Sequence, residues 1–252
     1  MKLPALLVAS LLVVSPLIAQ ESQGSDEPLR GPDGGTHYFV SGVTVLPVAG
    51  KPFSGRSTTE WTRTLEDGSI VRTHLLSVVA RDSQGRIYRE RHKFVSLNSN
   101  EQSPLEAIRI FDPVTHTETF CHAATHLCDV TPYHARTSFV PRPQGTFDNG
   151  KRSLTRESIG NDVIDGINVV GTRETNTIAA EVVGNSQPLV TTREFWYSPD
   201  LQVNLSITRK DPREGTQAVR VSDVSRAEPD PTLFKLPAGF RVQATQLPKS
   251  EN

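Results

Sequence analysis

The two cysteines of this chain lie close together, in the segment HTETFCHAATHLCDVTPYH that begins at His116. Six residues separate Cys121 from Cys128, and a hairpin that turns at Ala124-Thr125 places them opposite each other on adjacent strands. The chain begins with an export signal, described below, and an even number of cysteines in an exported protein is most often oxidised. The spacing therefore predicts a disulfide that fixes one hairpin, worth roughly 2 to 3 kcal/mol at most from chain entropy.

A metal site is the alternative for the same segment, because His122 and His126 lie between the cysteines. Two thiolates and two imidazoles are a ligand set that zinc accepts. Successive residues of a strand point to opposite faces, so His122 faces away from Cys121, and His126 turns away from the Cys128 face or into the turn. The same alternation keeps Cys121 and His122 from acting as a nucleophile and its base. We favour the disulfide and expect no metal ligand here.

Arg89, Arg91 and Lys93 occupy every second position of one β-type segment and therefore share a face of its strand. Three cations in a row could contact an anion or a lipid head group. The alternative is an ordinary solvated face on which Glu60 or Glu66 of a neighbouring strand lies opposite. We favour the solvated face, and the anion or head-group contact is the sharper hypothesis.

No other motif points to catalysis. The sequence contains no G-x-S-x-G elbow, no G-x-x-x-x-G-K-[ST] loop, no G-x-G-x-x-G and no H-E-x-x-H. Asp162 and Asp165 are three residues apart, but a general acid and base must converge on a cleft, and a carboxylate pair beside a glycine is more typical of a turn. We therefore predict a protein that is not an enzyme and uses no cofactor.

β-Strands are the elements that must position these side chains. The longest regular stretch, Pro52 to Val95, consists of three β-type segments separated by Asp67-Gly68 and by Asp82-Ser83-Gln84-Gly85. A glycine in such a turn supplies the positive φ that a tight hairpin needs, so we predict a meander. A further strand is expected at His37 to Leu46, and a reversal at Asn161-Asp162. The pattern predicts an all-β protein of about ten strands with no amphipathic helix after the signal.

Residues 1–19, MKLPALLVASLLVVSPLIA, have the layout of a secretory signal peptide: Lys2, an apolar run, and Ala19 before a polar stretch. The run is interrupted and short for a membrane span, which needs about 20 apolar residues. We expect cleavage after Ala19 and a protein that is exported, periplasmic or extracellular, and not integral to the membrane afterwards. An uncleaved anchor is the alternative.

The rest of the chain fits one domain. Residues 20–36 are predicted to be a disordered lead and residues 244–252 a disordered tail, around a curved β-sheet domain at residues 37–243. Without Lys2 the chain has 26 basic against 28 acidic residues. A nucleic-acid binder would need a basic surplus, so we expect no nucleic-acid partner.

Four loose motifs carry a resemblance to known proteins. They are IDGINVVGT at residues 164–172, WYSPD at 196–200, EPDPTLFKLPAGF at 228–240 and DSQGRIYRE at 82–90. With the first three the chain resembles the exported half-barrel superfamily of periplasmic lipoprotein carriers (LolA-like) and RseB-like regulators, and with the fourth it looks like uncharacterised bacterial secreted proteins. The resemblance implies a single strongly curved antiparallel sheet, an unclosed LolA-like barrel after an N-terminal signal helix, whose concave face can hold acyl chains.

Two functions are compatible with this reading. The first is a non-enzymatic envelope protein that binds a hydrophobic ligand, a lipid or a lipidated protein, on the concave face. The second is a structural or regulatory interaction domain with an envelope protein partner and no small-molecule ligand. An apolar concavity open to solvent, within the range of about 300–1,000 Å³ typical of ligand sites, would favour the first, and a filled interior the second.

Overall fold

The computed structural model describes residues 40, 42–99, 103–133, 138 and 141–243. Within these ranges the chain is built from fourteen β-strands and a single four-residue 3-10 turn, Pro231–Phe234. The strands are β1 (Phe53–Thr64), β2 (Ile70–Arg81), β3 (Ile87–His92), β4 (Val95–Ser96), β5 (Leu105–Asp112), β6 (Thr117–His122), β7 (Leu127–Pro132), β8 (Gly145–Phe147), β9 (Arg152–Ile164), β10 (Ile167–Ile178), β11 (Leu189–Ser198), β12 (Val203–Asp211), β13 (Gly215–Ser225) and β14 (Arg241–Val242).

All the described strands belong to one sheet, in the order β14-β7-β6-β5-β3-β2-β1-β13-β12-β11-β10-β9-β8, with β4 paired to β2. Every pairing is antiparallel except that of β14 with β7. The all-β prediction is confirmed, and the count of about ten strands is wrong, because short edge strands such as β4, β8 and β14 carry no pattern long enough to recognise. The predicted signal helix lies outside the described residues, and within them no helix has the length and apolar character needed to cross a membrane.

The predicted meander is confirmed as β1, β2 and β3. Its turns place Gly68 and Gly85 at φ 80° and 85°, and a side chain at Gly85 would press on the Pro47 backbone. Two other expectations are wrong. In the strand expected at His37 to Leu46, residues 42–46 are irregular, since their one ladder contact is an isolated bridge between Val45 and Val203. Residues 37–39 and 41 of that prediction lie outside the described residues. The second-half reversal falls at Asp165-Gly166 instead of Asn161-Asp162, because β9 continues to Ile164.

The connection between β7 and β8 shows that the sheet must bend. Residues 133–144 join Pro132 at one edge region of the sheet to Gly145 at the other edge. The eleven inter-strand steps between β7 and β8 would separate them by about 53 Å in a flat sheet. Thirteen extended Cα steps reach at most about 43 to 47 Å. The sheet is therefore strongly curved, and it is unclosed because β14 and β8 remain its separate edges.

A hydrogen bond across the sheet shows the same curvature directly. The Val224 N–H, in β13, donates to the Asp165 carboxylate in the β9–β10 turn at 2.5 Å. Three inter-strand steps separate β13 from β10, which would be about 14 Å in a flat sheet.

Two hydrophobic clusters cover opposite faces of the sheet. We call the face that carries Val79, Ile207 and Val219 the inner face, and the larger cluster lies on it. The smaller cluster lies on the outer face of β3, β5, β6 and β7, where the C-terminal segment with Phe234 and Phe240 covers it. On β3, β5, β6 and β7 the outer face is therefore buried as well, which a simple alternation of buried and exposed residues does not predict.

A segment of irregular backbone, Gly42–Lys51, crosses the inner face, and we call it the strap. Its Val43 and Val45 side chains are buried in the inner cluster. Arg81 of β2 is fully buried and fastens it: Nη1 donates to the Leu46 carbonyl and Nε to the Lys51 carbonyl, each at 2.9 Å. Burial lowers the pKa of this guanidinium to about 10. From Val45 to Lys51 the strap thus covers the inner face near one end of the strands, beside the β2–β3 and β11–β12 turns.

Candidate functional site

A pocket of about 220 Å³ opens on the inner face beside the strap. Its walls come from β1, β2, β3, β5 and β6, and its roof from Gly42 and Val43 of the strap. The β2–β3 ladder covers only residues 79–81 of β2, and β4 takes over at residues 73–74. The pocket therefore opens where β2 and β3 separate.

Strand register places the pocket side chains together. Residues that stand opposite each other on neighbouring strands project to the same face. One row of such neighbours crosses β2, β3, β5 and β6 through the pocket: Val79, Arg89, Arg109 and Phe120. A second row adds Arg91 with Ala107. The pocket thus has a cationic wall of three arginines, flanked by the apolar side chains of Val79, Ala107 and Phe120.

Arg89 is at the centre of the cationic wall. It stands directly opposite Arg109 on β5, and its Nη2 donates to the Val43 carbonyl of the strap. Burial, followed by the positive charges of Arg109 and Arg91, lowers the pKa of Arg89 to about 10. Among the described residues no carboxylate forms an ion pair with Arg89.

The two flanking arginines each have one carboxylate partner. Arg91 Nε lies 2.8 Å from Glu106 Oε2, and Arg109 Nη1 lies 3.6 Å from Glu118 Oε1. The Arg109 guanidinium also stacks 4.6 Å from the centre of the Phe120 ring. Three guanidinium groups against two carboxylates leave the wall with an excess of positive charge.

Two serine hydroxyls complete the polar lining. Ser57 of β1 stands opposite Ser77 of β2, and both face the pocket. Ser57 is only 2% exposed, and its Oγ has no hydrogen-bond partner among the described residues. A buried hydroxyl left without a partner costs about 1 to 3 kcal/mol.

The structure revises the predicted basic stripe. It brings Arg89 and Arg91 into the pocket, but Lys93 lies after the end of β3, is exposed and does not line it. The carboxylates near the stripe are those of β5 and β6, not Glu60 or Glu66. Arg109 is not predicted from the sequence, because its place beside Arg89 depends on the register between β3 and β5. That these arginines contact an anion stays a prediction.

The cysteine hairpin lies on the outer face, away from the pocket. Cys121 and Cys128 are joined by a disulfide with a Cα–Cα distance of 4.0 Å, and both are fully buried. His122 projects to the other face, with its Nε2 3.7 Å from Asp129 Oδ2, and His126 packs on a ring of the C-terminal segment. No group of three His, Cys, Asp or Glu side chains in the described residues could hold a metal ion.

A hydrogen-bonded row on the outer face of β3 was not predicted. The Tyr88 hydroxyl donates to Glu90 at 2.5 Å, and His92 Nδ1 lies 2.6 Å from the Ser103 carbonyl. Burial, and then the hydrogen bond to Glu90, raises the pKa of Tyr88 well above its ordinary value. The row ties β3 to the chain entering β5 and faces away from the pocket.

A buried ionic cluster lies at the end of β12. Asp211 accepts hydrogen bonds from Arg209 Nη2 at 2.8 Å and from Arg213 Nη2 at 2.9 Å, and Thr191 adds one at 3.1 Å. Burial acts to raise the pKa of Asp211, but the bonds from Arg213 and Thr191 outweigh it and lower the pKa to about 2. We interpret this cluster as structural.

No family model matches the chain, and no curated protein matches it. Among solved structures it is similar to an uncharacterized conserved protein from Thermus thermophilus, with a TM-score of 0.40 and 10% identity over 77% of this chain and 90% of that one. It is also similar to a chain of the MucA/MucB complex of Pseudomonas aeruginosa, with a TM-score of 0.36 and 12% identity. That match covers 73% of this chain and 55% of the other one.

A third similar structure is a LolA superfamily protein from Nitrosomonas europaea, with a TM-score of 0.28 and 9% identity over 75% of this chain and 91% of that one. That protein is described as a LolA superfamily protein, and the LolA-like carriers are among the proteins that the sequence resembles. All these TM-scores lie below 0.5. The function proposed below is therefore inferred from the pocket of this chain and not from these structures.

Proposed function

We propose that this chain is an exported, non-enzymatic protein that binds an amphiphilic ligand, a lipid or a lipidated protein, on the inner face of its curved sheet. The supporting observation is the composition of the pocket. Three arginine side chains form its cationic wall, and Val79, Ala107 and Phe120 add apolar surface on either side of them. A ligand with a charged head and an apolar body matches both parts of the lining, whereas a purely apolar ligand would exclude water from the guanidinium groups and add no counter-charge.

The size of the pocket limits how much of the ligand it encloses. A volume of about 220 Å³ is below the range of about 300–1,000 Å³ of sites that enclose a small molecule. The strap fills the adjacent part of the inner face. The pocket therefore takes the head end of the ligand, and the apolar body extends out of the pocket past Phe120.

A structural or regulatory interaction domain is the second candidate function. The observation that favours it is the open edge of β9: among the described strands, β8 pairs only with Arg152–Leu154, so residues 155–164 have no further strand beside them. An extended segment of a partner protein could add to that edge by main-chain hydrogen bonds. The buried strap supports the same candidate, because its Val43 and Val45 side chains occupy part of the inner face.

Lipid analysis of the exported protein tests the first candidate. The mature protein would be purified from the exported fraction of its own host, extracted with organic solvent and analysed by mass spectrometry beside the variant Ala107→Phe. Ala107 is buried and lines the pocket, so a phenyl ring there fills it. We expect a lipid from the unmodified protein and none from the variant.

The matched control is Ala80→Phe, which adds the same volume to β2 on the outer face and should keep the lipid if it folds. Circular dichroism and the urea midpoint show whether each variant is folded. An unmodified protein that carries no lipid, or equal lipid on the folded Ala107→Phe variant, contradicts the proposal. A protein partner recovered instead of a lipid supports the interaction domain.

A further inference from the structure

The arrangement of charges in the pocket is unfavourable without a negative partner. Arg89 and Arg109 stand directly opposite each other on β3 and β5, and like charges at directly opposed positions destabilise a sheet. Two glutamates, one paired with Arg91 and one with Arg109, compensate two of the three guanidinium charges. Arg89, the most enclosed of the three, has only the Val43 carbonyl as a partner among the described residues.

Ser57 is a second, independent indication of a ligand. Its hydroxyl is buried, lines the same pocket and has no partner among the described residues. Ser77 stands opposite it and brings a second hydroxyl to the pocket. Hydroxyl groups can donate to an anion from β1 and β2 while guanidinium groups donate from β3 and β5.

This donor set fits a tetrahedral oxyanion. Arginine presents N–H groups in a planar fork that matches two oxygens of a phosphate. Guanidinium donors on one side and hydroxyl donors on the other can bind three or four oxygens at once. A phosphate group presents that many oxygens, whereas a carboxylate has only two. The pocket of about 220 Å³ has room for such a group.

We infer that the pocket is a phosphate-binding site in which Arg89, Arg91 and Arg109 neutralise the anion and Ser57 donates a hydrogen bond to it. The inference rests on the proposed function and specifies the head group of the amphiphile. The same chemistry would bind a free phosphate or a phosphate monoester, so the experiment must separate these two sources.

Two pairs of variants test the site. Arg109→Gln removes one of the opposed cations, and its control Arg72→Gln removes an exposed arginine from β2. Ser57→Ala removes the hydroxyl in the pocket, and its control Thr59→Val removes a hydroxyl that is also buried and without a described partner, on the same strand but outside the pocket.

Binding is measured in two arms at constant ionic strength. Calorimetric titration with inorganic phosphate, against chloride, gives the affinity of the site itself. Sedimentation with vesicles of phosphatidylglycerol, against phosphatidylcholine, gives the affinity for an anionic lipid surface. Phosphate at a hundredfold excess over its Kd should also raise the Tm by about 5 to 10 °C.

We expect Arg109→Gln and Ser57→Ala each to weaken phosphate binding about tenfold or more, since a hydrogen bond to a charged group is lost. The two control variants should leave the affinity unchanged. Ser57→Ala should fold at least as well as the unmodified protein, because it removes an unpaired buried hydroxyl, so loss of affinity in this variant cannot be ascribed to misfolding.

The outcomes separate this inference from the proposed function. If phosphate and phosphatidylglycerol both bind, and both lose affinity in the pocket variants, the site is a lipid head-group site. If phosphate alone binds, the phosphate site stands and the amphiphile proposal fails. If vesicles bind equally to all variants, the phosphate site is overturned while the amphiphile proposal survives. If neither binds, both are overturned.

Discussion

Replacement of Arg81 by lysine tests how the strap is held on the inner face. Three different nitrogens of Arg81 donate to three carbonyls: Nε to Lys51 and Nη1 to Leu46, both in the strap, and Nη2 to Leu201 in the β11–β12 turn. The side chain is 0% exposed. Lysine keeps the positive charge, but its single ammonium cannot occupy the three positions that the planar guanidinium reaches.

The cost can be worked from those contacts. Arg81→Lys retains at most one of the three hydrogen bonds, and a bond to a charged group contributes about 1.5 to 3 kcal/mol. The loss of two bonds lowers the free energy of unfolding by about 3 to 6 kcal/mol. This loss is a large share of the free energy of unfolding of a typical domain, which is about 5 to 15 kcal/mol.

Urea unfolding of the mature protein, with its disulfide intact, measures this change. The control is Arg72→Lys, because Arg72 lies on the same strand and is exposed, and a surface substitution there should change the free energy by less than about 0.5 kcal/mol. If Arg81→Lys is also within about 0.5 kcal/mol of the unmodified protein, the strap is not held as described.

Three further predictions concern the acid stability of the fold, a glycine turn and the oxidation state of the cysteines. In the folded protein the pKa of Asp211 is lowered from 3.8 to about 2. Its contribution of about 2 kcal/mol to the free energy of unfolding is therefore present above pH 4 and is lost as the pH falls towards 2. Unfolding measured across this pH range will show the loss. Gly215→Ala should destabilise by more than about 2 kcal/mol, since φ is +85° and the new Cβ would collide with a backbone oxygen of β1. Thiol titration of the exported protein should find no free thiol, because Cys121 and Cys128 are bonded.

Each of these has its own control. Asp211→Asn should flatten the acid limb of the stability profile, and an unchanged limb would exclude Asp211 as its source. Gly68→Ala also introduces a side chain at positive φ, but with no atom within 4 Å, so an equal loss at both glycines would contradict the collision argument. Two titratable thiols per chain would overturn the disulfide.

Local features of the fold were predictable from the sequence, because each depends on neighbours in the chain. The meander follows from Asp67-Gly68 and the turn at Gly85, whose glycines adopt the positive φ that the hairpins require. The pairing of Cys121 with Cys128 follows from a short hairpin. Strand alternation also placed Arg89 and Arg91 on one face.

What the sequence could not predict depends on register and on long-range packing. Arg109 belongs beside Arg89 only because β3 and β5 pair with that alignment, and a shift of one residue would turn it to the other face. Val43 and Val45 alternate as a strand would, yet tertiary contacts hold them as an irregular strap. A serine on a strand, such as Ser57, carries no local signal of a binding role.

The phosphorus content of the purified protein shows whether the pocket holds a phosphate group. The mature chain would be isolated from its exported fraction in phosphate-free buffer and analysed by phosphorus NMR, beside the Arg109→Gln and Ser57→Ala variants. The account predicts a stoichiometric, broadened phosphorus signal in the unmodified protein and its loss in both variants. A folded protein without bound phosphorus, or a signal that both variants retain, would contradict it.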